Sequence, residues 1–120
     1  MDKAPVTVGR LEDFPVGQFR ITQVRGVEIG VIRMHNGELR AIRNHCPHRG
    51  APICKGSVTG TWPPCEPGQM RYEMQGQVLV CPWHGYEYDL ATGRELFQRR
   101  ATQLRMYPVA VEDGNVVVTV

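Results

Sequence analysis

The sequence contains no stretch that approaches the ~20 consecutive apolar residues of a membrane-spanning helix. No segment shows a sustained 3.6-residue apolar period, so a helical bundle is not expected. The 120 residues also contain no repeat, low-complexity tract or linker, and such a length suits one domain with one modest core. We therefore predict a single domain over residues 1–120. Because no apolar run follows the first residues, we expect a cytoplasmic protein without membrane contact.

A strong net charge is absent as well. Lys and Arg number 14 and Asp and Glu number 12, which gives a formal net charge of +2 at pH 7. This charge is too small to indicate nucleic acid or an anionic membrane as a partner. The sequence has no nucleotide-binding glycine loop and no set of two histidines and a carboxylate for a mononuclear iron. We therefore predict no catalytic centre and no catalytic residue.

Glycine and proline are plentiful, with 13 and 9 residues. They punctuate short alternating segments, a pattern typical of an all-β architecture. Hairpin turns are predicted at Asn36-Gly37, as a two-residue turn, and at Gln75-Gly76 and Asp113-Gly114. Residues 56–70 are predicted to form an extended surface loop. The first predicted strand contains Val6 and Val8. The other predicted strands are Gln18–Val24, Val27–Met34, Leu39–Arg43, Met70–Met74, Gln77–Val80, Tyr86–Leu90, Gln103–Val111 and Val116–Val120.

Two short cysteine–histidine segments carry the chemistry. They are Cys46-Pro47-His48-Arg49-Gly50 and Cys81-Pro82-Trp83-His84-Gly85. Each places one thiolate and one imidazole on a loop shaped by Pro and Gly, so that both side chains can reach one metal centre. A Cys-x-His loop together with a Cys-x-x-His loop is the ligand set of a Rieske [2Fe–2S] centre, in which two His replace two Cys on one iron.

The residues around these segments resemble the Rieske ferredoxin family. The resemblance is carried by the run from His45 to Pro52 and by the run from Cys81 to Asp89, followed by Ala91-Thr92-Gly93. It is tight over about residues 44–56 and 78–94, and the ferredoxins and Rieske domains of ring-hydroxylating oxygenases are the most similar branch. It implies a Rieske-type antiparallel β-sandwich with a small inserted cluster-binding subdomain at about residues 44–96. It also implies one [2Fe–2S] cluster and one-electron transfer.

The resemblance further implies which residues bind the cluster. Cys46 and Cys81 would bind one iron, and His48 and His84 the other. A site with two thiolates and two imidazoles is less negative than a site with four thiolates. The reduction potential is therefore expected at about −150 to +300 mV rather than near −400 mV. High-potential relatives carry a Ser where Tyr86 stands here, and they have a disulfide between the two loops that this sequence lacks. We therefore expect a potential in the lower part of that range.

Several neighbours of these ligands have predicted supporting roles. Gly50 and Gly85 shape the loops and let backbone N–H groups approach the cluster. Tyr88 either donates a hydrogen bond to the Cys81 sulfur or is a core aromatic residue. Trp83 either shields the cluster or forms a partner surface.

The remaining cysteines and histidines are predicted to lie outside the ligand set. Cys54 and Cys65 are interpreted as free, partly buried thiols, with a mutual disulfide or a redox role as the alternatives. His45 is interpreted as a structural residue or a neighbour of the ligands, and His35 as a solvent-facing residue of a turn.

These observations predict a monomeric electron carrier that accepts electrons from a flavoprotein reductase and delivers them to a terminal oxygenase. A second hypothesis is a small or regulatory Rieske subunit of a larger oxidoreductase such as a nitrite reductase. A third is a structural zinc protein, because two Cys and two His also suit tetrahedral Zn²⁺.

Overall fold

The computed structural model describes residues 4–47, 50–61, 73–83, 85–96 and 103–120. These described residues form ten strands and two short 3₁₀ helices, Leu11–Asp13 and Ile53–Lys55. None of them lies in an α-helix. The predicted all-β class is confirmed. In chain order the strands are β1 Val6–Arg10, β2 Phe19–Val24, β3 Val27–Arg33, β4 Leu39–Arg43, β5 Ser57–Thr61, β6 Glu73–Val80, β7 Glu87–Asp89, β8 Met106–Tyr107, β9 Val109–Glu112 and β10 Asn115–Val118.

The strands form three antiparallel sheets. The first sheet has the order β1-β10-β9, the second β2-β3-β4-β8 and the third β5-β6-β7. The strands of the third sheet lie in sequence between β4 and β8, so this sheet is an insertion between two strands of the second. Within the described ranges, no helix is long and apolar enough to cross a membrane.

The second sheet is the middle layer, because β3 and β4 are buried on both faces. Ile29 and Val31 of β3 belong to one core, which they share with Val116 and Val118 of the first sheet. Ile32 belongs to a second core, which contains residues of the third sheet. Since successive side chains of a strand point to opposite faces, one apolar run supplies both cores.

The hairpin at Asn36-Gly37 is one residue longer than predicted. Met34 N–H donates to the Glu38 carbonyl at 2.8 Å, so three residues lie between this closing pair. Gly37 has a φ of +87°, which is the left-handed position that ends a three-residue hairpin loop. The turn at Asp113-Gly114 has two residues, as the pairing of Glu112 with Asn115 shows, and its prediction is confirmed.

The predicted hairpin at Gln75-Gly76 is wrong. Both residues lie inside the continuous strand β6, and Gly76 has a φ of +75°. The pairing with β5 shifts here, from Thr59–Val78 to Thr61–Glu73, which marks an irregularity in the ladder. A glycine adopts the positive φ of such a bulge at little cost, and the strand continues through it. The Gly that suggested a turn in the sequence therefore marks a β-bulge.

Two further boundaries differ from the prediction. Residues 57–61 form strand β5 instead of a surface loop, and the β-branched Val58 and Thr59 pair with Leu79 and Val78. The strand predicted at Gln103–Val111 is divided at Pro108 into β8 and β9, which belong to different sheets. Proline has no backbone N–H for a ladder, so the chain changes sheets there.

Gly30 of β3 is required by the close packing of the second core. A Cβ atom at this position would overlap the Cys54 Sγ and lie 3.0 Å from Phe19 Cδ1. We expect Gly30→Ala to lower the free energy of unfolding by about 1–3 kcal/mol, because the added methyl group overpacks the core. Urea denaturation measures this change.

A double-mutant cycle provides the control for Gly30→Ala. Cys54→Ala removes the sulfur that the new methyl group meets. The cost of both substitutions together should therefore be smaller than the sum of the two single costs. Strictly additive costs would contradict the proposed overlap.

Candidate metal centre

The first cysteine loop begins directly beyond β4 and is closed by its own backbone. Cys46 N–H donates to the Ala51 carbonyl at 2.8 Å, and Gly50 N–H donates to the Cys46 carbonyl at 2.7 Å. Gly50 has a φ of +78°, which is accessible to glycine at little cost. The Cys46 backbone therefore closes this loop through hydrogen bonds with Gly50 and Ala51.

The second cysteine loop repeats this arrangement. Cys81 N–H donates to the Tyr86 carbonyl at 2.8 Å, and Gly85 N–H donates to the Cys81 carbonyl at 3.1 Å. Gly85 has a φ of +72°. In both loops a cysteine bonds to the carbonyl five positions later and is met by the amide of the glycine four positions later. Gly50 and Gly85 thus shape the loops, as predicted.

The structure brings the two cysteines into the same core. Cys46 is fully buried and Cys81 is 3% exposed, and both belong to the second core together with Tyr88, Leu79 and other apolar residues. Neither cysteine is joined in a disulfide in this structure. Two soft sulfur ligands inside an apolar shell suit an iron–sulfur cluster or zinc, and the shell controls access of water to the site. The described residues therefore fit the predicted cluster.

The two predicted histidine ligands, His48 and His84, lie outside the described residues, and so does Cys65. Their assignment as ligands therefore stays a prediction from the sequence. In the part of the chain that is described, no three His, Cys, Asp or Glu side chains group closely enough to hold a metal ion.

Tyr88 of β7 is fully buried, and its hydroxyl lies 3.6 Å from Cys46 Sγ. The full burial of Tyr88 fits its interpretation as a core aromatic residue, and its hydrogen bond to the Cys81 sulfur stays a prediction. The contact with the cysteine of the first loop was not predicted, because Tyr88 follows the second loop in the sequence. A thiolate has no proton to give, so the tyrosine hydroxyl would be the donor to a metal-bound sulfur.

The other residues near the ligands are divided between core and surface. Trp83 is 56% exposed, so its indole faces solvent in this structure and favours the partner-surface interpretation. Tyr86 is half-buried and packs against the second core. His45 is exposed, and its ring lies so close to Gly50 that an added Cβ would be 2.9 Å from Cε1. His35 is exposed, as predicted.

Cys54 is a free, buried thiol, which confirms the interpretation made for it from the sequence. Burial, with a smaller contribution from the Glu28 carboxylate, raises the pKa of this thiol to about 12 from its ordinary value of 9.0. The thiol therefore stays protonated at neutral pH, where a reactive cysteine would be ionised.

Sequence reasoning missed Asn44 and Arg40, which tie the site to the middle sheet. Asn44 is 8% exposed, and its side-chain oxygen accepts a hydrogen bond of 2.8 Å from the Cys54 backbone N–H. The Arg40 guanidinium donates through Nε to the Leu90 carbonyl at 3.1 Å. The sequence feature that could have identified Asn44 is its place directly after the predicted strand Leu39–Arg43 and two positions before Cys46.

The family of the chain follows from its match to a known domain. The sequence profile of the Rieske [2Fe-2S] domain matches residues 4–108. The chain belongs to the Rieske [2Fe–2S] domain family. Members of this family bind one [2Fe–2S] cluster, and the buried Cys46 and Cys81 of this Rieske chain have the sulfur chemistry that such a cluster needs.

Relatives of similar length indicate the kind of Rieske protein. A human "Rieske domain-containing protein" is 30% identical over 129 residues, which cover 95% of this chain and 73% of that protein. The ferredoxin component of the naphthalene 1,2-dioxygenase/salicylate 5-hydroxylase systems of Ralstonia sp. is 27% identical over 107 residues, covering 89% of this chain and 86% of that protein. Other curated relatives are much longer, and the chain spans 12% of one of them.

A solved structure supports the fold. The ferredoxin of carbazole 1,9a-dioxygenase from Nocardioides aromaticivorans superimposes with a TM-score of 0.76 at 24% identity, covering 97% of each chain. The predicted Rieske-type sandwich is thus confirmed. The similarity to ferredoxin components also confirms the prediction of an electron-transfer component of an oxidoreductase system.

The contact between Tyr88 and Cys46 yields a test of sulfur tuning. Tyr88→Phe removes a donor to the thiolate, so the sulfur becomes more electron-rich and the reduction potential falls. A hydrogen bond to a charged group is worth about 1.5–3 kcal/mol, so we expect a decrease of at most about 130 mV for one electron. Voltammetry on the purified protein measures it.

Tyr107→Phe is the matched control for Tyr88→Phe. Tyr107 lies on β8 and packs against the core shared with the first sheet, and the Arg105 guanidinium lies over its ring. We expect no change of potential from this variant. An equal shift in both variants would contradict a specific role of the Tyr88 hydroxyl.

The raised pKa of Cys54 predicts a loss of stability in alkali. Between pH 9 and 12 the folded state holds a proton that the unfolded thiol has released, so stability falls as pH rises, by at most about 1.4 kcal/mol per pH unit. Cys54→Ala should remove this part of the fall and leave the visible spectrum unchanged. Denaturation curves at pH 8 and pH 10.5 measure it, and parallel losses in both proteins would contradict the prediction.

Proposed function

We propose that this protein is a soluble, cytoplasmic one-electron carrier that passes electrons from a flavoprotein reductase to a terminal oxygenase. The observation that carries the proposal is the pair of matching loops, whose cysteines are buried in one core in a chain that resembles ferredoxin components over most of its length. We propose that it acts as a monomer and that about residues 44–96 form the cluster-binding subdomain.

In this proposal four side chains hold the [2Fe–2S] cluster. Cys46 and Cys81 bind one iron, and His48 and His84 bind the other. A bound cluster of this kind supplies reversible uptake of a single electron. Gly50 and Gly85 close the two loops and so hold the sulfur ligands in position. The second core excludes water from both cysteines.

The polypeptide contributes to tuning and to contact with partners. The Tyr88 hydroxyl beside Cys46 can donate to the thiolate and so stabilise the reduced, more negative state. Trp83, Pro82 and Pro47 are exposed on the two cysteine loops. Such surface-exposed apolar side chains beside the ligands suit a transient contact with a redox partner.

A second function is a Rieske small subunit of a larger oxidoreductase. The same fold occurs in the small subunit of a putative NADPH nitrite reductase, and likeness at 18% identity shows the fold alone. Co-purification separates the two functions, because an obligate subunit elutes with its large partner while a carrier elutes alone. Absence of colour would instead support structural zinc.

The histidine ligands provide the sharpest test of the proposed cluster. The chain has four histidines, and we expect His48→Asn and His84→Asn to lose the red-brown absorbance and the iron and sulfide bound per chain. His48→Cys or His84→Cys should either lose the cluster or lower its potential by adding negative charge. The control, His35→Asn, should keep the absorbance, since this exposed residue lies at a hairpin turn.

Electron transfer itself is tested with purified components. The oxidised protein is incubated anaerobically with a limiting amount of NADH and a flavoprotein ferredoxin reductase, and bleaching is followed before an excess of oxidised ring-hydroxylating oxygenase is added as the electron acceptor. The proposal expects bleaching by the reductase and recovery on addition of the oxidised oxygenase. A protein that remains colourless throughout, with zinc bound, would refute it.

A further inference from the structure

The bases of the two cysteine loops are built differently. The second loop lies between paired strands, because Val80 at the end of β6 pairs with Glu87 at the start of β7. The first loop follows β4, but no strand returns along it: beyond Ala51 the chain passes through Pro52 into the 3₁₀ helix Ile53–Lys55. A strand ladder therefore closes the base of the second loop, whereas the base of the first loop has no such ladder.

Asn44 closes the base of the first loop with its side chain. Its Oδ1 accepts from the Cys54 backbone N–H at 2.8 Å, which bridges the two ends of the segment that contains Cys46. Its Nδ2 donates to Glu28 Oε1 at 2.7 Å, and its backbone N–H donates to the Glu28 carbonyl at 2.9 Å. One buried amide thus connects β3, the end of β4 and the 3₁₀ helix.

We propose that Asn44 is a positioning residue that fixes the first cysteine loop to the middle sheet, and that Glu28 orients its amide. Asn44 replaces the missing strand ladder and determines how firmly Cys46 is held. The effect on a bound cluster rests on the proposed function, whereas the anchoring of the loop does not.

With a carboxylate at position 28, the chemistry of the bridge requires an amide at position 44. An amide group offers an acceptor to Cys54 and a donor to Glu28 at the same time. Asp would keep the acceptor but would place a second carboxylate against Glu28, and Ala would leave the buried Cys54 N–H without its partner. Gln at position 28 keeps an oxygen that can accept from Asn44, so Glu28→Gln alone is tolerated.

A reciprocal pair of substitutions gives the decisive experiment. Asn44→Asp breaks the bridge by repulsion from Glu28. Asn44→Asp combined with Glu28→Gln restores it in the opposite sense, because the amide introduced at position 28 donates to the new carboxylate. Glu28→Gln alone is the matched control, and Asn44→Ala removes the bridge without adding charge.

Hydrogen exchange by mass spectrometry on the full-length protein as purified provides the main measurement. For Asn44→Asp and Asn44→Ala we expect exchange of the amides in residues 44–56 to accelerate roughly tenfold or more, because a hydrogen bond to a buried donor is lost. Exchange in residues 78–90, around the second loop, should stay within about twofold. The double variant and Glu28→Gln should resemble the original protein.

The rate of cluster loss under a chelator is the second measurement. It should rise in Asn44→Asp and return towards its original value in the double variant. Equal acceleration of exchange around both loops would overturn the inference by showing general destabilisation, and unchanged exchange around the first loop would overturn it as well. If Asn44→Asp does not fold, the double variant decides, because the inference requires it to fold with a protected first loop.

Failure of the proposed function has a different signature. If the original protein contains no iron and sulfide, the electron-carrier proposal fails. The exchange pattern of the four variants still decides whether Asn44 anchors the loop, because it reports backbone opening and not redox activity.

Discussion

Burial of both faces of β3 and β4 is the constraint on which the rest of the structure depends. Alternate residues of these two strands fill two different cores, one shared with the first sheet and one shared with the cysteine loops. Any shift of register by one residue would exchange the two sets of side chains. The middle sheet is therefore held in a single register, and its ends provide fixed points for the loop that begins after Arg43.

The close packing of the second core links this sheet to the site. Gly30 leaves room for the Cys54 sulfur, and the same core contains Cys46, Cys81 and Tyr88. Two cysteines from distant parts of the chain, the predicted sulfur ligands, are thereby held in one apolar core. Protein interiors pack at crystal-like density, so a small change of side-chain volume in this core alters the packing around the cysteines.

The sequence was sufficient for the fold class, the family and the two cysteine loops, because those features depend on residue types at short spacing. Its failures concern contacts between distant segments. Gln75-Gly76 carries a turn signal, yet pairing with β5 makes it a bulge. The contact between Tyr88 and Cys46 joins residues 42 positions apart and was not predicted. Asn44 looks like an ordinary loop residue until its partners Glu28 and Cys54 are known.

The shared closure of the two cysteine loops has a consequence for how such sites diversify. In both loops the described backbone bonds join the cysteine to the glycine four positions later and to the carbonyl after that glycine. The sequence places a histidine at the second position between cysteine and glycine in one loop and at the third in the other. The same closure therefore accompanies two different positions of the predicted ligand, so mutation can change the ligand position while these closing bonds are kept.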